Sequence, residues 1–248
     1  MRTYLPLIFS ALLISLSWQS AAQPALVGYW NFNQGASGNP WNVPIPANQG
    51  LGDASITAGT WTWGDINHTE AFAGSTLNAL GGDPAGASLS LRNEAMNGNY
   101  IQIEFSMEGY ANLEISYWSR RTSTGFNNNQ WSWSTDGENF TNFGDPVNPS
   151  DQTAGALVTL PVLNALDNAP TAYLRYTLNG ASSSAGNNRI DNLQLNAVEA
   201  GDPDQVNTPV FNPPAGTYYS PQQVSISTST SDASIYYTTN GNEPGTED

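Results

Sequence analysis

The chain has 248 residues, with 21 acidic side chains against six basic ones and a formal net charge of −15. This balance excludes nucleic acid as a partner and disfavours an anionic membrane surface, because both are bound through clustered Lys and Arg. With no cysteine, the chain has no disulfide, thiolate metal site or thiol nucleophile. Its 23 glycines and many asparagines indicate short strands joined by turns.

The first 22 residues are a predicted signal peptide. Arg2 gives a short basic start, an apolar run extends from Leu5 to Leu16, and small residues up to Ala22 precede Gln23. The run is too short to cross a bilayer, which takes about 20 apolar residues. We therefore expect a protein that is secreted or held at the cell surface, with no membrane insertion. An exported chain without cysteine is typical of bacteria.

From Leu26 to Ala197, short segments in which every second residue is apolar alternate with clusters of Gly, Asn, Asp and Ser. This period predicts strands with one buried face. The segments span residues 27–32, 87–92, 100–106, 112–119, 130–135, 139–143, 155–160, 171–178 and 189–196. Asp136-Gly137 favours a tight hairpin turn. No amphipathic helix is evident, so the sequence predicts an all-β fold, an antiparallel β-sandwich of jelly-roll type.

A second, shorter unit follows an acidic linker at residues 199–207. It begins at Thr208, with strands predicted over 223–227 and 234–239 and a hairpin turn at Asn240-Gly241. Only 41 residues remain from Thr208 onward, too few to close a sandwich. The predicted organisation is a signal peptide (1–22), a jelly-roll-like sandwich (23–198), the linker and a partial domain (208–248). We expect a fragment of a longer modular protein with further domains.

The second unit carries a resemblance to a known family. The matching stretches are Pro209 to Tyr218, Val224 to Ile226 and, most diagnostic, Ala233 to Pro244. In order and spacing they resemble the chitobiase/β-hexosaminidase C-terminal domain, also called GH29D-like. The family usually has Asp where this chain has Asn240, and both residues suit a turn. The resemblance implies an immunoglobulin-like β-sandwich that has no catalytic residues of its own. Such domains accompany secreted glycoside hydrolases and other exported proteins.

The first module carries a weaker similarity, in the stretches Leu113 to Arg120, Trp131 to Thr141, Leu174 to Tyr176 and Arg189 to Leu195. It is similar in outline to the jelly-roll modules of secreted bacterial multidomain proteins and to carbohydrate-binding sandwiches. The similarity implies a fold rather than a ligand.

Aromatic side chains are the candidate ligand-binding residues, because a flat ring packs on the C–H face of a sugar while its polar edge reaches the hydroxyls. Trp118 and Arg120 share the polar face of one predicted strand, and Tyr173 and Arg175 share that of another. If these strands are neighbours, the four side chains form one stacking platform. The alternative is an outward Trp118 covered by a loop.

Trp61 and Trp63 are a second candidate pair, in a segment that we place in a loop at the rim of the sandwich. The remaining indoles in predicted strands, Trp30, Trp131 and Trp133, are expected to pack in the core because of the area that they bury.

Asp191 is a candidate metal ligand. It has the parity of Leu193 and Leu195, which predicts an inward carboxylate. A buried carboxylate must be hydrogen-bonded or bound to a cation. The alternatives are backbone hydrogen bonds and a structural calcium, which prefers oxygen ligands. No other cofactor is expected.

No catalytic site is predicted. His68 is the only histidine and lies in a polar segment, so we expect no Ser-His-Asp triad. Carboxylates are plentiful, but none lies in a recognisable glycosidase motif. The leading hypothesis is a non-catalytic accessory region of a secreted modular protein that binds or presents polysaccharide. The alternatives are a structural or adhesive surface spacer, or the N-terminal part of an extracellular hydrolase, a glycosidase or nuclease, with its catalytic domain beyond Asp248.

Overall fold

A computed structural model describes residues 24–36, 38–59, 69–151, 153–200, 209–214, 216, 218, 220, 222–228, 235 and 237. The chain divides into two compact units, Ala21–Ala200 and a second that includes Gly201–Asp248. Within the described ranges there is no α-helix, and no helix long and apolar enough to span a membrane.

The regular structure of the described residues is a series of strands and one turn of 3₁₀-helix at Glu94–Met96. The strands are β1 (Ala25–Trp30), β2 (Ile45–Pro46), β3 (Gln49–Gly50), β4 (Ser55–Ala58), β5 (Thr69–Ala73), β6 (Ala87–Arg92), β7 (Tyr100–Phe105), β8 (Tyr110–Arg121), β9 (Asn129–Ser134), β10 (Thr141–Val147), β11 (Ala156–Thr159), β12 (Ala172–Thr177), β13 (Asn187–Glu199), β14 (Val210–Asn212) and β15 (Ser225–Ser227). Each of the nine segments predicted in the first module overlaps one of these strands. The strands β2 to β5 were not predicted, and β2 and β3, with two residues each, are too short to show a period.

Two antiparallel sheets form the unit Ala21–Ala200. The first sheet has the order β11-β8-β13-β1-β3, and β6, itself flanked by β5, also pairs with β13. The second sheet has the order β10-β9-β12-β7-β4-β2. Consecutive strands cross between the sheets at β6 to β9 and again at β11 to β13. This alternation confirms the predicted all-β sandwich of jelly-roll type.

The hydrophobic core lies between the two sheets and is built from the inward residues of each strand. Its largest fully buried side chains include Trp30, Trp131, Tyr117 and Tyr176. Trp131 Nε1 donates a hydrogen bond of 3.0 Å to the Tyr117 hydroxyl. That bond satisfies the indole N–H where water is excluded. Trp30 and Trp131 therefore serve the core as predicted, and Trp133 packs against it partly buried.

Strand β13 changes its alternation at a bulge. Its pairing register with β8 shifts between Asp191 and Gln194, and Asn192 adopts a φ of 49°. Ile190 and Leu193 consequently both belong to the core. Asp191 instead pairs with Trp118 on the outer face of the first sheet. The prediction that Asp191 points into the sandwich is wrong, because simple parity does not hold across a bulge.

In the second unit, β14 and β15 form an antiparallel pair in which Phe211 lies opposite Ile226. The predicted strand at 223–227 is confirmed in its second half. Val210 and Val224 are 64% and 56% exposed. The strand predicted at 234–239 lies almost entirely outside the described residues.

Candidate functional site

The four side chains of the predicted platform lie on different sheets. Trp118 and Arg120 belong to β8, which pairs with β11 and β13 in the first sheet. Tyr173 and Arg175 belong to β12, which pairs with β7 and β9 in the second sheet. Each pair projects from the outer face of its own sheet, so the core separates them. The joint platform required neighbouring strands, and because β8 and β12 are not neighbours it does not form.

Trp118 is covered by the chain that follows β10. Its side chain is 2% exposed. The indole Nε1 donates a hydrogen bond of 2.9 Å to the carbonyl of Ala154. Gly155 lies against the ring, where an added Cβ would come within 2.5 Å of Nε1. A loop therefore covers Trp118, as in the alternative stated above, and neither face of this indole is open to a ligand.

Arg175 is the centre of an aromatic cluster on the outer face of the second sheet. Its guanidinium carbon lies 3.5 Å from the ring centroid of Phe140 and 4.1 Å from that of Tyr100. Its Nε donates to Gln102 Oε1 at 2.8 Å, and Nη2 donates weakly to the Gly137 carbonyl at 3.4 Å. We call Tyr100, Gln102, Phe140, Tyr173 and Arg175 the aromatic face. All five are partly exposed.

The register of the second sheet explains how these side chains meet. Arg175 lies opposite Gln102 on β7, and Tyr173 lies opposite Glu104. Residues paired across antiparallel strands project to the same side, with Cβ atoms about 5 Å apart. The inward alternates, Leu174 among them, are buried. The polar side chains therefore share one outer surface because the apolar ones occupy the core.

A tight turn between β9 and β10 positions Phe140 on the aromatic face. The Asp136 carboxylate accepts hydrogen bonds from Ser134 Oγ and from the backbone N–H groups of Glu138 and Asn139, at 2.7–2.9 Å. A fourth bond comes from Asn139 Nδ2. These bonds hold the pKa of Asp136 well below its usual value, and the bonds from Asn139 contribute most to the shift. Gly137 adopts a φ of +73°. The Asp-Gly signature thus fixes the turn.

Tyr173 packs beside the same turn. A Cβ added to Gly137 would lie 3.2 Å from the Tyr173 ring, so the glycine backbone lies against the phenol. The neighbouring outward positions that stay accessible carry hydrogen-bonding side chains, namely Gln130, Thr177, Thr57 and Glu104, whereas Ser132 and Ser134 are buried. The surface therefore combines flat apolar rings with a rim of donors and acceptors.

The arginine retains donor capacity toward solvent. A guanidinium has five N–H donors. Among the described residues, only its Nε and one Nη2 hydrogen are bonded, and no carboxylate is paired with it. Clamped between two rings, Arg175 presents oriented donors and loses little further freedom when a ligand binds.

The sequence missed three members of the aromatic face: Tyr100, Gln102 and Phe140. Tyr100 and Gln102 show the outward parity of a predicted strand, but only cross-strand register places them beside Arg175. Phe140 lies at the end of the recognised turn, and nothing local indicates that it folds back. Trp61, Trp63 and His68 lie outside the described residues, so their candidate roles stay predictions.

Asp191 lies in a buried polar cluster on the outer face of the first sheet. Its Oδ2 accepts from the Ser75 N–H at 2.7 Å, and its Oδ1 accepts from the Asn192 N–H at 2.8 Å. Burial raises the pKa of Asp191 to about 8, despite these two bonds, and the Asp83 carboxylate adds to the rise. In the described part of the chain, no group of three or more His, Cys, Asp or Glu side chains is placed to hold a metal ion.

The chain was compared with protein families, curated proteins and solved structures. The sequence model of the chitobiase/beta-hexosaminidase C-terminal domain family matches residues 213–248, which confirms the resemblance seen in the second unit. No curated protein matches the chain.

Among solved structures, the CBM22-1 xylan-binding domain of Paenibacillus barcinonensis Xyn10C is similar over 73% of this chain and 100% of its own, at 12% identity and a TM-score of 0.47. TmCBM61, solved with beta-1,4-galactotriose, covers 57% of this chain and 86% of its own, at 6% identity and a TM-score of 0.37. The CBM22-1-GH10 modules of Clostridium thermocellum Xyn10B, solved with xylohexaose, cover 73% of this chain and 30% of theirs, at 12% identity and a TM-score of 0.41.

Proposed function

We propose that the chain is a non-catalytic accessory region of a secreted protein and that its first module binds polysaccharide on the aromatic face. The observation that carries this proposal is the position of Arg175 between Phe140 and Tyr100, with Tyr173 on the same strand. Sugars present apolar C–H faces and a periphery of hydroxyls. An outer sheet surface that holds rings, fixed N–H donors and amide groups is complementary to both features.

The outward side chains do not favour hydrolysis at this face. Glycosidases generally need two carboxyl groups on opposite sides of the scissile bond. On β7, β9 and β12, the outward positions carry one carboxylate, Glu104. The nearby Asp136 carboxylate is occupied by the turn that it stabilises. Binding without cleavage is the activity that these residues support.

Affinity electrophoresis of the whole chain against a panel of neutral glycans tests this function. Xylan and β-1,4-galactan head the panel because the similar modules named above were solved with related oligosaccharides or are described as binding xylan. We expect at least one glycan to retard the protein, and Tyr173→Ala and Arg175→Ala to abolish the retardation. Arg120→Ala, on the opposite sheet, is the matched control, and glycan should retard it as much as the unaltered chain.

The alternatives make different predictions in the same assay. A structural or adhesive spacer is retarded by no glycan, and that result would overturn the binding function. The N-terminal part of a glycosidase or nuclease requires a catalytic domain encoded downstream of Asp248, so the gene sequence beyond that codon tests it. If neither Tyr173→Ala nor Arg175→Ala changes the retardation, the aromatic face is excluded as the binding surface, and Trp61 and Trp63 remain candidates.

A structural calcium at Asp191 is also proposed, as the alternative to a carboxylate held by backbone N–H groups alone. The carboxylate oxygens suit this cation. A bound calcium would stabilise the folded state by mass action, so a chelator should lower the melting temperature. The Asp191→Asn variant should then be insensitive to chelator. An unchanged melting curve for the unaltered chain rejects the calcium site.

A further inference from the structure

Three arginines lie together on the outer face of the first sheet, opposite the aromatic face. They are Arg92 on β6, Arg120 on β8 and Arg189 on β13. Their strand neighbours Leu91 and Ile190 belong to the core, so the arginines project outward. The whole chain has six basic residues and a net charge of −15, and half of the basic residues are in this patch.

Two of these arginines face each other directly. Arg189 pairs with Arg120 across the β13–β8 ladder. Like charges directly opposite one another on neighbouring strands destabilise a sheet. Burial, and next the charge of Arg120, lower the pKa of the Arg189 guanidinium, while Glu70 acts in the opposite direction. The two cations are therefore close enough to repel.

The available carboxylate does not neutralise this pair. Glu70 forms an ion pair with Arg92. Arg120 makes no hydrogen bond or ion pair with any residue that the structure describes. The patch of Arg92, Arg120, Arg189 and Glu70 consequently keeps an excess of two positive charges.

Arg189 is held in place for contact with an anion. Its guanidinium carbon lies 4.5 Å from the ring centroid of Phe72, and its Nη1 donates to the Ala73 carbonyl at 3.3 Å. Arg189 and Arg120 both remain partly exposed. Arg189 is held in place, and Arg120 has no partner among the residues that the structure describes. N–H groups of the two guanidinium groups can therefore donate to the two oxygens of one anion.

We propose that Arg120 and Arg189 form an anion-binding site that takes the carboxylate or sulfate group of an acidic sugar. Both anions offer oxygens in the spacing that guanidinium forks recognise. The site is separate from the aromatic face, although its assignment to a sugar rests on the polysaccharide binding proposed above. It would let one module contact a charged sugar on one sheet and an uncharged stretch of glycan on the other.

The acidic character of the chain does not prevent such binding. At physiological ionic strength, exposed charges farther apart than about 8 Å are largely screened. The two arginines then act locally on a single anionic group, whereas the uniform charge of a nucleic acid needs many basic contacts at once. The ligand class is accordingly a sugar unit with one acidic group.

Calorimetric titration of the whole chain with matched probe pairs tests the site. The pairs are trigalacturonate against its methyl ester, and galactose 6-sulfate against galactose. We expect the charged member of at least one pair to bind about ten-fold or more tightly than its neutral partner, because charge-assisted hydrogen bonds are lost with the charge. Binding of trigalacturonate alone assigns a uronate ligand, and binding of the sulfated sugar alone assigns a sulfate ester.

Variants locate the interaction. Arg120→Ala should weaken binding of the charged probe about ten-fold or more. In the absence of ligand, Arg120→Ala should melt at the same temperature or higher, because it removes a repulsion. Equal binding of charged and neutral probes, or full binding by Arg120→Ala, would overturn the site. Neither result bears on glycan binding at the aromatic face, which Tyr173→Ala reports.

Discussion

The guanidinium carbon of Arg175 lies 3.5 Å from the centroid of the Phe140 ring. The contact joins β12 to the turn between β9 and β10, and Tyr100 on β7 covers the same guanidinium from 4.1 Å. One cation thus holds three parts of the second sheet's outer surface in a fixed arrangement.

Arg175→Lys should lower the free energy of unfolding by about 1 kcal/mol, because a lysine ammonium stacks less well than a planar guanidinium on two rings. Urea denaturation followed by tryptophan fluorescence measures the change. Arg120→Lys is the control, since Arg120 contacts no ring in the described structure. Equal losses in the two variants would contradict a specific role for the stack.

Asp136→Asn should loosen the turn that positions Phe140. Hydrogen bonds hold the pKa of Asp136 well below its usual value, so the ionised carboxylate contributes stability at neutral pH. That contribution is lost as pH falls below about 4, where the unfolded chain takes up its proton before the folded one. Denaturation at pH 5 and pH 2.5 should show a smaller acid-dependent loss in Asp136→Asn than in the unaltered chain. An identical loss would show that the turn does not depend on this charge.

Gly155→Ala should destabilise the protein by about 2 kcal/mol and expose Trp118. Gly155 has a φ of +66°, and an added methyl group would collide with the indole. Gly81→Ala is a matched control, because Gly81 has a φ of +60° with no atom within 4 Å of the added Cβ. The control should lose only the backbone preference, about 1 kcal/mol. Acrylamide should quench the total tryptophan fluorescence more in Gly155→Ala than in the control as Trp118 becomes exposed, and similar quenching of both variants would argue against the packed loop.

The buried Asp191 should make stability fall as pH rises from about 5 to 8. Its pKa is raised to about 8 in the folded state, so the folded chain keeps a proton that the unfolded chain has released. The loss is at most about 1.4 kcal/mol per pH unit and levels off above the folded pKa. Urea denaturation in chelator at pH 5, 6.5 and 8 measures it. Asp191→Asn should flatten the slope, and an unchanged slope would assign it to another group.

Much of the fold was predictable because it depends on local chemistry. Alternating apolar residues located nine strands, since a strand with one buried face requires that period wherever it lies in the chain. The Asp136-Gly137 turn was predictable for a similar reason, because positive φ and side-chain capping act over a few residues. The chitobiase C-terminal resemblance was likewise carried by a contiguous stretch, and the family match at 213–248 confirms it.

The candidate site was only half predictable. Tyr173 and Arg175 were identified from their polar strand face, but their partners Tyr100 and Phe140 come from elsewhere in the sequence. Trp118 and Arg120 show the same local pattern and lie on the other sheet. Strand order decides which outward residues meet, and it is set by long-range pairing that no local period encodes.

The alternation of apolar residues, the positions of the turns and the small number of cations can be read from the sequence alone. The loop over Trp118, the rings around Arg175 and the pairing of Arg189 with Arg120 arise from the tertiary structure. It also placed Asp191 on the outer face, because the bulge at Asn192 reverses the parity on which the inward prediction depended. Local propensity decides the backbone conformation of each segment. Which side chains are buried and which ones meet depends on how the two sheets pack, and the strand order of those sheets is set by long-range pairing across the whole chain.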